Sequence, residues 1–236
     1  SSGMETIDGN ANVARLLGER AALHPDRPAL VGSPGGGRLT FAELDRAVGA
    51  MAERLLARGV GPGDRALVFV PMSIPLYVVL LACFHVGAAA VFVDAWSNRD
   101  RLDAAVEASE PTVFIGSPKA QLLRVLSRAI RRIPRALTVG SSVPAQASSP
   151  GPCARVEGDA AALITFTTGS TGVPKGAARS HAFLMAQQRA LSAHLRVGSE
   201  PGDIDMPALP IFVLGNLAEG IPSVLPALDP RRPAEF

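Results

Sequence analysis

Between Ala66 and Trp96 the chain carries no Asp, Glu, Lys or Arg except Asp94. A stretch that long is enough to cross a bilayer, so any fold this chain adopts must hide it. Its punctuation argues against a membrane span: Pro71, Pro75, His85 and Gly87 interrupt it, and its texture changes midway. Leu67-Val68-Phe69-Val70 reads as a buried strand, Leu76 to His85 as a buried helix, and Ala89 to Val93 as a second buried strand. Strands covered on both faces appear as continuous apolar runs, which is the pattern of a parallel sheet inside helical layers.

The flanking sequence extends the same alternation. Asn12 to Leu17 begins an amphipathic helix that ends near His24-Pro25, because proline cannot continue the backbone hydrogen bonds. Ala29-Leu30-Val31 and Arg38-Leu39 flank Ser33-Pro34-Gly35-Gly36-Gly37, a hairpin composition. Thr40 and Glu43 form a capping box ahead of Phe41, Leu44, Val48, Met51 and Leu55, which recur at helical spacing. Gly59 stops that helix, and Gly61-Pro62-Gly63-Asp64 turns into the first apolar strand. A helix from Arg99 to Ala108 and a strand from Thr112 to Ile115 follow. Gln121 to Ile133 reads as one further helix, with Leu122, Leu126, Ile130 and Ile133 on one face. Arg124, Arg128, Arg131 and Arg135 line its solvated side. The expected fold class is α/β, a largely parallel sheet flanked by helices.

Three function classes recede on composition. A net charge of +2 and few aromatics give no electrostatic footprint or stacking surface for nucleic acid. Cys83 and Cys153 sit in unlike contexts, and four scattered histidines show no metal-ligand spacing. Two isolated thiols fit a reducing, cytoplasmic compartment. Ser1-Ser2-Gly3 ahead of Met4 reads as an expression scar. The layout expected is residues 1–3 as scar and 4–139 as a first α/β subdomain. Residues 140–158 are a Ser/Pro/Ala-rich surface loop, and 159–236 are a phosphate-loop region opening the next subdomain.

The chemistry concentrates after the strand Ala161 to Phe166. There the chain reads Thr167-Thr168-Gly169-Ser170-Thr171-Gly172-Val173-Pro174-Lys175-Gly176, and a helix is expected from about Ser180 to Leu195. Glycines let backbone amides approach phosphate oxygens, hydroxyls add movable donors, and Lys175 adds a positive charge. Each charge-assisted hydrogen bond to a phosphate is worth roughly 1.5–3 kcal/mol. A Walker A loop would need Gly-Lys where this chain has Lys175-Gly176, and no G-x-G-x-x-G triplet opens the helix. A flexible linker has no reason to follow a buried strand directly.

Thr167 to Gly176, with Arg179 and His181 behind them, resembles the signature loop of the adenylate-forming (AMP-binding) superfamily. That superfamily holds acyl-CoA synthetases, peptide-synthetase adenylation domains and luciferases. Leu39 to Leu44, Gly59 to Asp64 and Leu80 to Asp94 are similar to its early helix, turn and apolar segment. The resemblance implies the fold of the family's amino-terminal domain, incomplete here. It also implies a carboxylate attacking the α-phosphate of Mg-ATP to give an acyl adenylate and pyrophosphate, with coenzyme A a frequent acceptor. Thr167, Thr168, Gly169, Ser170, Thr171, Gly172, Val173, Pro174, Lys175 and Gly176 would then hold the β- and γ-phosphates, with Ser170 or Thr171 near the magnesium. His181 has two readings, a site residue or a helix-start residue with a structural hydrogen bond.

Two departures qualify the resemblance. In Leu209-Pro210-Ile211-Phe212-Val213-Leu214-Gly215, valine stands where the family has a histidine at the acyl-pocket wall. Phe212, Val213 and Gly215 are the pocket candidates, and this stretch with Val224 to Pro230 resembles the olefin-pathway β-lactone synthetases. The expected substrate is therefore a long-chain or β-hydroxy fatty acid. The chain also ends at Phe236, before the family's adenine, magnesium and ribose motifs and its mobile carboxy-terminal domain. This portion alone is expected to be inactive, and apolar surface normally covered by the missing parts would favour self-association. A non-catalytic nucleotide- or acyl-binding protein of the same fold, and a membrane-associated protein, are the competing readings.

Overall fold

The apolar run resolves into the centre of a three-layer sandwich. The computed structural model describes residues 9–33, 35–93, 99–143, 151–168, 174–195, 204–206 and 210–225, without the side chains at 99, 101, 167, 168, 174, 175, 192–195 and 210–212. A six-stranded sheet has the order β6-β5-β3-β4-β7-β8: β3 Arg65–Phe69, β4 Ala89–Val93, β5 Val113–Gly116, β6 Arg135–Thr138, β7 Ala161–Thr168 and β8 Pro174–Ser180. All neighbours are parallel except β7 and β8, which form an antiparallel edge pair. A three-stranded sheet, β2-β1-β9, sits apart from it, with β1 Pro28–Val31, β2 Arg38–Thr40 and β9 Ser223–Val224.

Alternate residues of the parallel strands feed two cores. Ala66, Val68, Ala90, Val113 and Ile115 face the larger one, which contains α1 Arg15–Leu23, α2 Phe41–Leu56 and α3 Ile74–His85. Leu67, Val91, Phe114, Ile164 and Phe166 face the smaller one, under α4 Arg99–Ser109. Helix α3 is buried along its whole length up to Phe84, so the long apolar run is a strand, a core helix and a strand. Among the described residues no helix is long and apolar enough to cross a membrane.

The capping box expected at Thr40 is present: its Oγ1 accepts the Glu43 N–H at 3.2 Å, and Glu43 accepts the Thr40 N–H at 2.8 Å. The single helix expected over Gln121 to Ile133 is corrected. It consists of one 3₁₀ turn at Ala120–Leu122, α5 Leu123–Leu126 and α6 Arg128–Arg131. Ser127 breaks it with an extended backbone, accepting the Ile130 N–H at 3.0 Å and donating to Asp103. A serine hydroxyl competes with helical hydrogen bonds and favours this cap. Ala129, Ile130 and Ile133 enter the core, whereas Leu122, Val125 and Leu126 remain exposed.

Arg135 is also corrected. It lies in β6, donating from Nε to Thr112 O at 3.1 Å and from its terminal nitrogens to Asp64 and to Gly59 O. Asp64 further accepts from Thr112 Oγ1 at 2.7 Å and from the Gly61 N–H at 2.8 Å. Burial pushes the Asp64 carboxyl up, but the hydrogen bonds from Arg135, Thr112 and Gly61 and the Arg135 charge hold it below its usual value. The turn before β3 is thereby tied to β6, three strands later in the chain.

The part of the Ser/Pro/Ala-rich segment within the described residues is anchored. Ala154 N–H donates to His85 O at 2.7 Å, and Ala11 N–H to Val156 O at 3.1 Å. Asn12 donates from Nδ2 to Phe84 O at 2.7 Å and to Ala154 O at 2.9 Å, while its Oδ1 accepts the Ala14 N–H at 3.0 Å.

Candidate phosphate-binding site

The hydroxyl- and glycine-rich loop joins β7 to the edge strand β8. Strand β7 runs parallel to β4 with Phe166 opposite Val93, the last residue of β4. Thr167 and Thr168 therefore carry β7 beyond the carboxyl end of β4, and their register partners are Lys175 and Pro174. The carboxyl edge of a parallel sheet is where open α/β folds bind ligands, and the described ends of β7 and β8 reach past that edge. Gly169, Ser170, Thr171, Gly172 and Val173 lie outside the described residues, as do the side chains of Thr167, Thr168, Pro174 and Lys175. The magnesium candidates Ser170 and Thr171 fall among them. No group of three or more His, Cys, Asp or Glu able to hold a metal ion occurs among the described residues.

The helix expected from about Ser180 to Leu195 is present as α7, His181–Leu195, and the segment ahead of it, Pro174–Ser180, forms a strand, β8, that the sequence pattern does not announce. The physical reason is cross-strand. Phe166 pairs with Gly176, and its ring covers the space where a side chain would stand: a Cβ built on Gly176 would come 2.8 Å from Phe166 Cζ. Across the same pair of strands, Arg179 donates to Thr165 Oγ1 at 3.2 Å. Gly176→Ala forces the buried Phe166 ring to move, and overpacking of this kind costs about 1–2 kcal/mol. Urea denaturation should show that loss, with Phe166→Leu in the same background restoring part of it. An unchanged midpoint would refute the packing role.

His181 is fully buried at the junction of β8 and α7. Its Nδ1 accepts the Val13 N–H at 3.1 Å, its own N–H donates to Ala160 O at 3.1 Å, and its ring meets Phe84 edge-on with centroids 6.0 Å apart. Burial pushes its pKa down to about 4, so the ring is neutral at physiological pH. Of its two readings, this geometry is the structural hydrogen bond, joining the start of α1 to the start of α7.

The pocket candidates separate. Helix α8 spans Pro210–Glu219, which the sequence does not announce. Val213 has no exposed surface and belongs to the larger core. Gly215 lines an apolar groove with Leu16, Leu81, Phe84, Leu184 and Leu214, between α1, α3, α7 and α8. The Phe212 side chain lies outside the described residues. Asn12, which only begins a helix in the sequence pattern, emerges as the polar anchor of this corner.

The comparisons with known proteins agree on one superfamily. The olefin beta-lactone synthetase of Stenotrophomonas maltophilia (strain K279a) is 34% identical over 245 residues, covering 95% of this chain and 44% of that protein. The medium-chain fatty-acid–CoA ligase of Escherichia coli (strain K12) is 27% identical, covering 80% of this chain and 36% of that protein. ATP-bound MatB from Rhodopseudomonas palustris superposes with a TM-score of 0.80 at 24% identity, over 94% of this chain and 46% of that one. The chain thus spans less than half the length of these relatives. Its residues 17–224 match the model of the AMP-binding enzymes, and the chain belongs to that family.

Proposed function

We propose that this chain provides the phosphate-binding portion of an enzyme that activates a fatty or β-hydroxy fatty acid with ATP. The observation that carries the reading is that Thr167–Thr168 and Pro174–Lys175, which flank the Ser/Thr/Gly-rich stretch in sequence, extend past the carboxyl end of β4 in a chain of the AMP-binding family. In the reaction, a substrate carboxylate oxygen bonds to the α-phosphorus while the bond to the bridging pyrophosphate oxygen breaks. Thr167, Thr168, Ser170 and Thr171, the amides of Gly169 and Gly172, and Lys175 orient the β- and γ-phosphates and hold the departing pyrophosphate. Such work is electrostatic positioning, with little covalent role for the protein. Ser170 or Thr171 would hold a magnesium ion, which would supply positive charge against the phosphates.

The fatty-acid class rests on the similarity to an olefin beta-lactone synthetase and a fatty-acid–CoA ligase, and on the apolar surroundings of Gly215. Coenzyme A is one acceptor of the activated acyl group; closure onto a β-hydroxyl is the other. Free Cys83 and Cys153 fit a reducing, cytoplasmic setting.

The test is acid-dependent exchange of labelled pyrophosphate into ATP by the product of the complete gene. Fatty and β-hydroxy fatty acids should support it, and Lys175→Ala should lower kcat/KM at least about tenfold, the loss of one charge-assisted phosphate contact. Exchange with amino acids or aryl acids alone would overturn the substrate class, and no exchange with any acid would overturn the reaction.

A further inference from the structure

We infer that the segment from Lys119 to Arg132 is a docking surface for an anionic lipid membrane. Leu122, Val125 and Leu126 stand at i, i+3 and i+4, so they share one face of the 3₁₀ turn and α5. They are 63%, 74% and 51% exposed. Three neighbouring aliphatic side chains on one short helical face, all turned to water, differ from scattered surface leucines.

The charge around them selects the partner. Residues 119–133 hold Lys119, Arg124, Arg128, Arg131 and Arg132 and not one Asp or Glu. Lys119, Arg128, Arg131 and Arg132 are exposed. The packed helix α4 brings acids, of which Asp103 accepts from Ser127 and Glu107 meets Arg132 at 3.9 Å. Even with all three acids of α4 counted, Asp100, Asp103 and Glu107, the five cations leave the segment positive. Protein interfaces enrich aromatic anchors at their centre, and this face has none. Aliphatic residues bordered by arginines match the interfacial helices that insert shallowly among anionic headgroups. The break at Ser127 supports the arrangement, because it sends Ile130 and Ile133 into the core and leaves Leu122, Val125 and Leu126 outside. Surface docking requires no spanning helix and stands apart from the reaction proposed above.

The experiment is co-sedimentation of the 236-residue chain with vesicles of equimolar phosphatidylglycerol and phosphatidylcholine, beside vesicles of phosphatidylcholine alone. Binding should favour the anionic vesicles and weaken as salt rises. Combined Leu122→Ser, Val125→Ser and Leu126→Ser should lower partitioning at least about tenfold, since each removes apolar contact with lipid. Arg128→Gln with Arg131→Gln should lower it about twentyfold at low salt and flatten the salt dependence. Leu56→Ser, at an exposed leucine on α2, should bind as wild type. Equal binding to both vesicle types, full binding by the triple variant, an equal loss with Leu56→Ser, or displacement from vesicles by soluble polyglutamate would each overturn the proposal. All these side chains are exposed, so unchanged melting of the variants is expected, and a folding defect would itself contradict the exposed placement.

Discussion

Replacing Asn12 with leucine is expected to cost about 3–5 kcal/mol of folding stability, although the two side chains are close in volume. Asn12 is 1% exposed and ties three backbone groups from separate parts of the chain. Phe84 O also accepts the Gly87 N–H at 3.0 Å, so it keeps a partner without Asn12. Ala154 O and the Ala14 N–H lose the bonds described here, and a buried polar group left unsatisfied costs about 1–3 kcal/mol. Asn10→Ala serves as the comparison: Asn10 accepts from Asn12 N at 3.1 Å and Val156 N at 3.2 Å, but it is only half-buried and water can replace it. Urea midpoints should order wild type, Asn10→Ala and Asn12→Leu from most to least stable. A loss below about 1 kcal/mol for Asn12→Leu would show that the corner is wetter than its geometry implies.

Acidification from neutral pH toward pH 4 should destabilise the fold through His181. The acceptor role of Nδ1 requires the neutral ring, and burial lowers its pKa from 6.5 to about 4. Between those values the unfolded chain binds the proton and the folded chain does not, so stability rises with pH across that window. The contribution is complete above the unfolded value and is lost as pH falls toward 4, on the order of 2–3 kcal/mol. Burial also lowers the pKa of His85, against a Gly151 backbone hydrogen bond that raises it, and the net shift acts in the same direction. Asp45, whose carboxyl burial pushes up, acts in the opposite sense. His181→Asn isolates the effect, since the asparagine oxygen can occupy the Nδ1 position and accept from Val13 without titrating. Denaturation midpoints measured across the window should give a shallower pH slope for the variant. Equal slopes would remove His181 from the acid response.

Much of this fold is legible in local chemistry. The Thr40–Glu43 capping box needs only four residues to be recognised, and its hydrogen bonds form as expected. The apolar run resolves into a strand, a helix and a strand because Pro71, Pro75 and Gly87 mark the joints and doubly covered strands need no polar face. The loop Thr167 to Gly176 stands out as a phosphate-binding candidate because glycines, hydroxyls and a lysine occur together in it.

The remaining features depend on partners far apart in the chain. Leu122 and Leu126 share helical spacing with Ile130 and Ile133, but Ser127 meets Asp103 on another helix, turning the second pair inward and leaving the first outside. Arg135 sits among arginines that read as a solvated face, and only the sheet order brings it to Asp64, 71 residues earlier. Gly176 opposite Phe166 accompanies an edge strand over Pro174–Ser180, which the sequence pattern between the loop and the expected helix does not announce. Sequence alone determined most of the parallel strands and the helices between them, and marked the candidate phosphate loop, because those depend on propensity and residue type within a few positions. Tertiary structure alone decided whether Leu122 and Leu126 or Ile130 and Ile133 are buried, that Arg135 is paired with Asp64, and that the ends of β7 and β8 reach past β4, because each depends on contacts between segments that lie far apart in the chain.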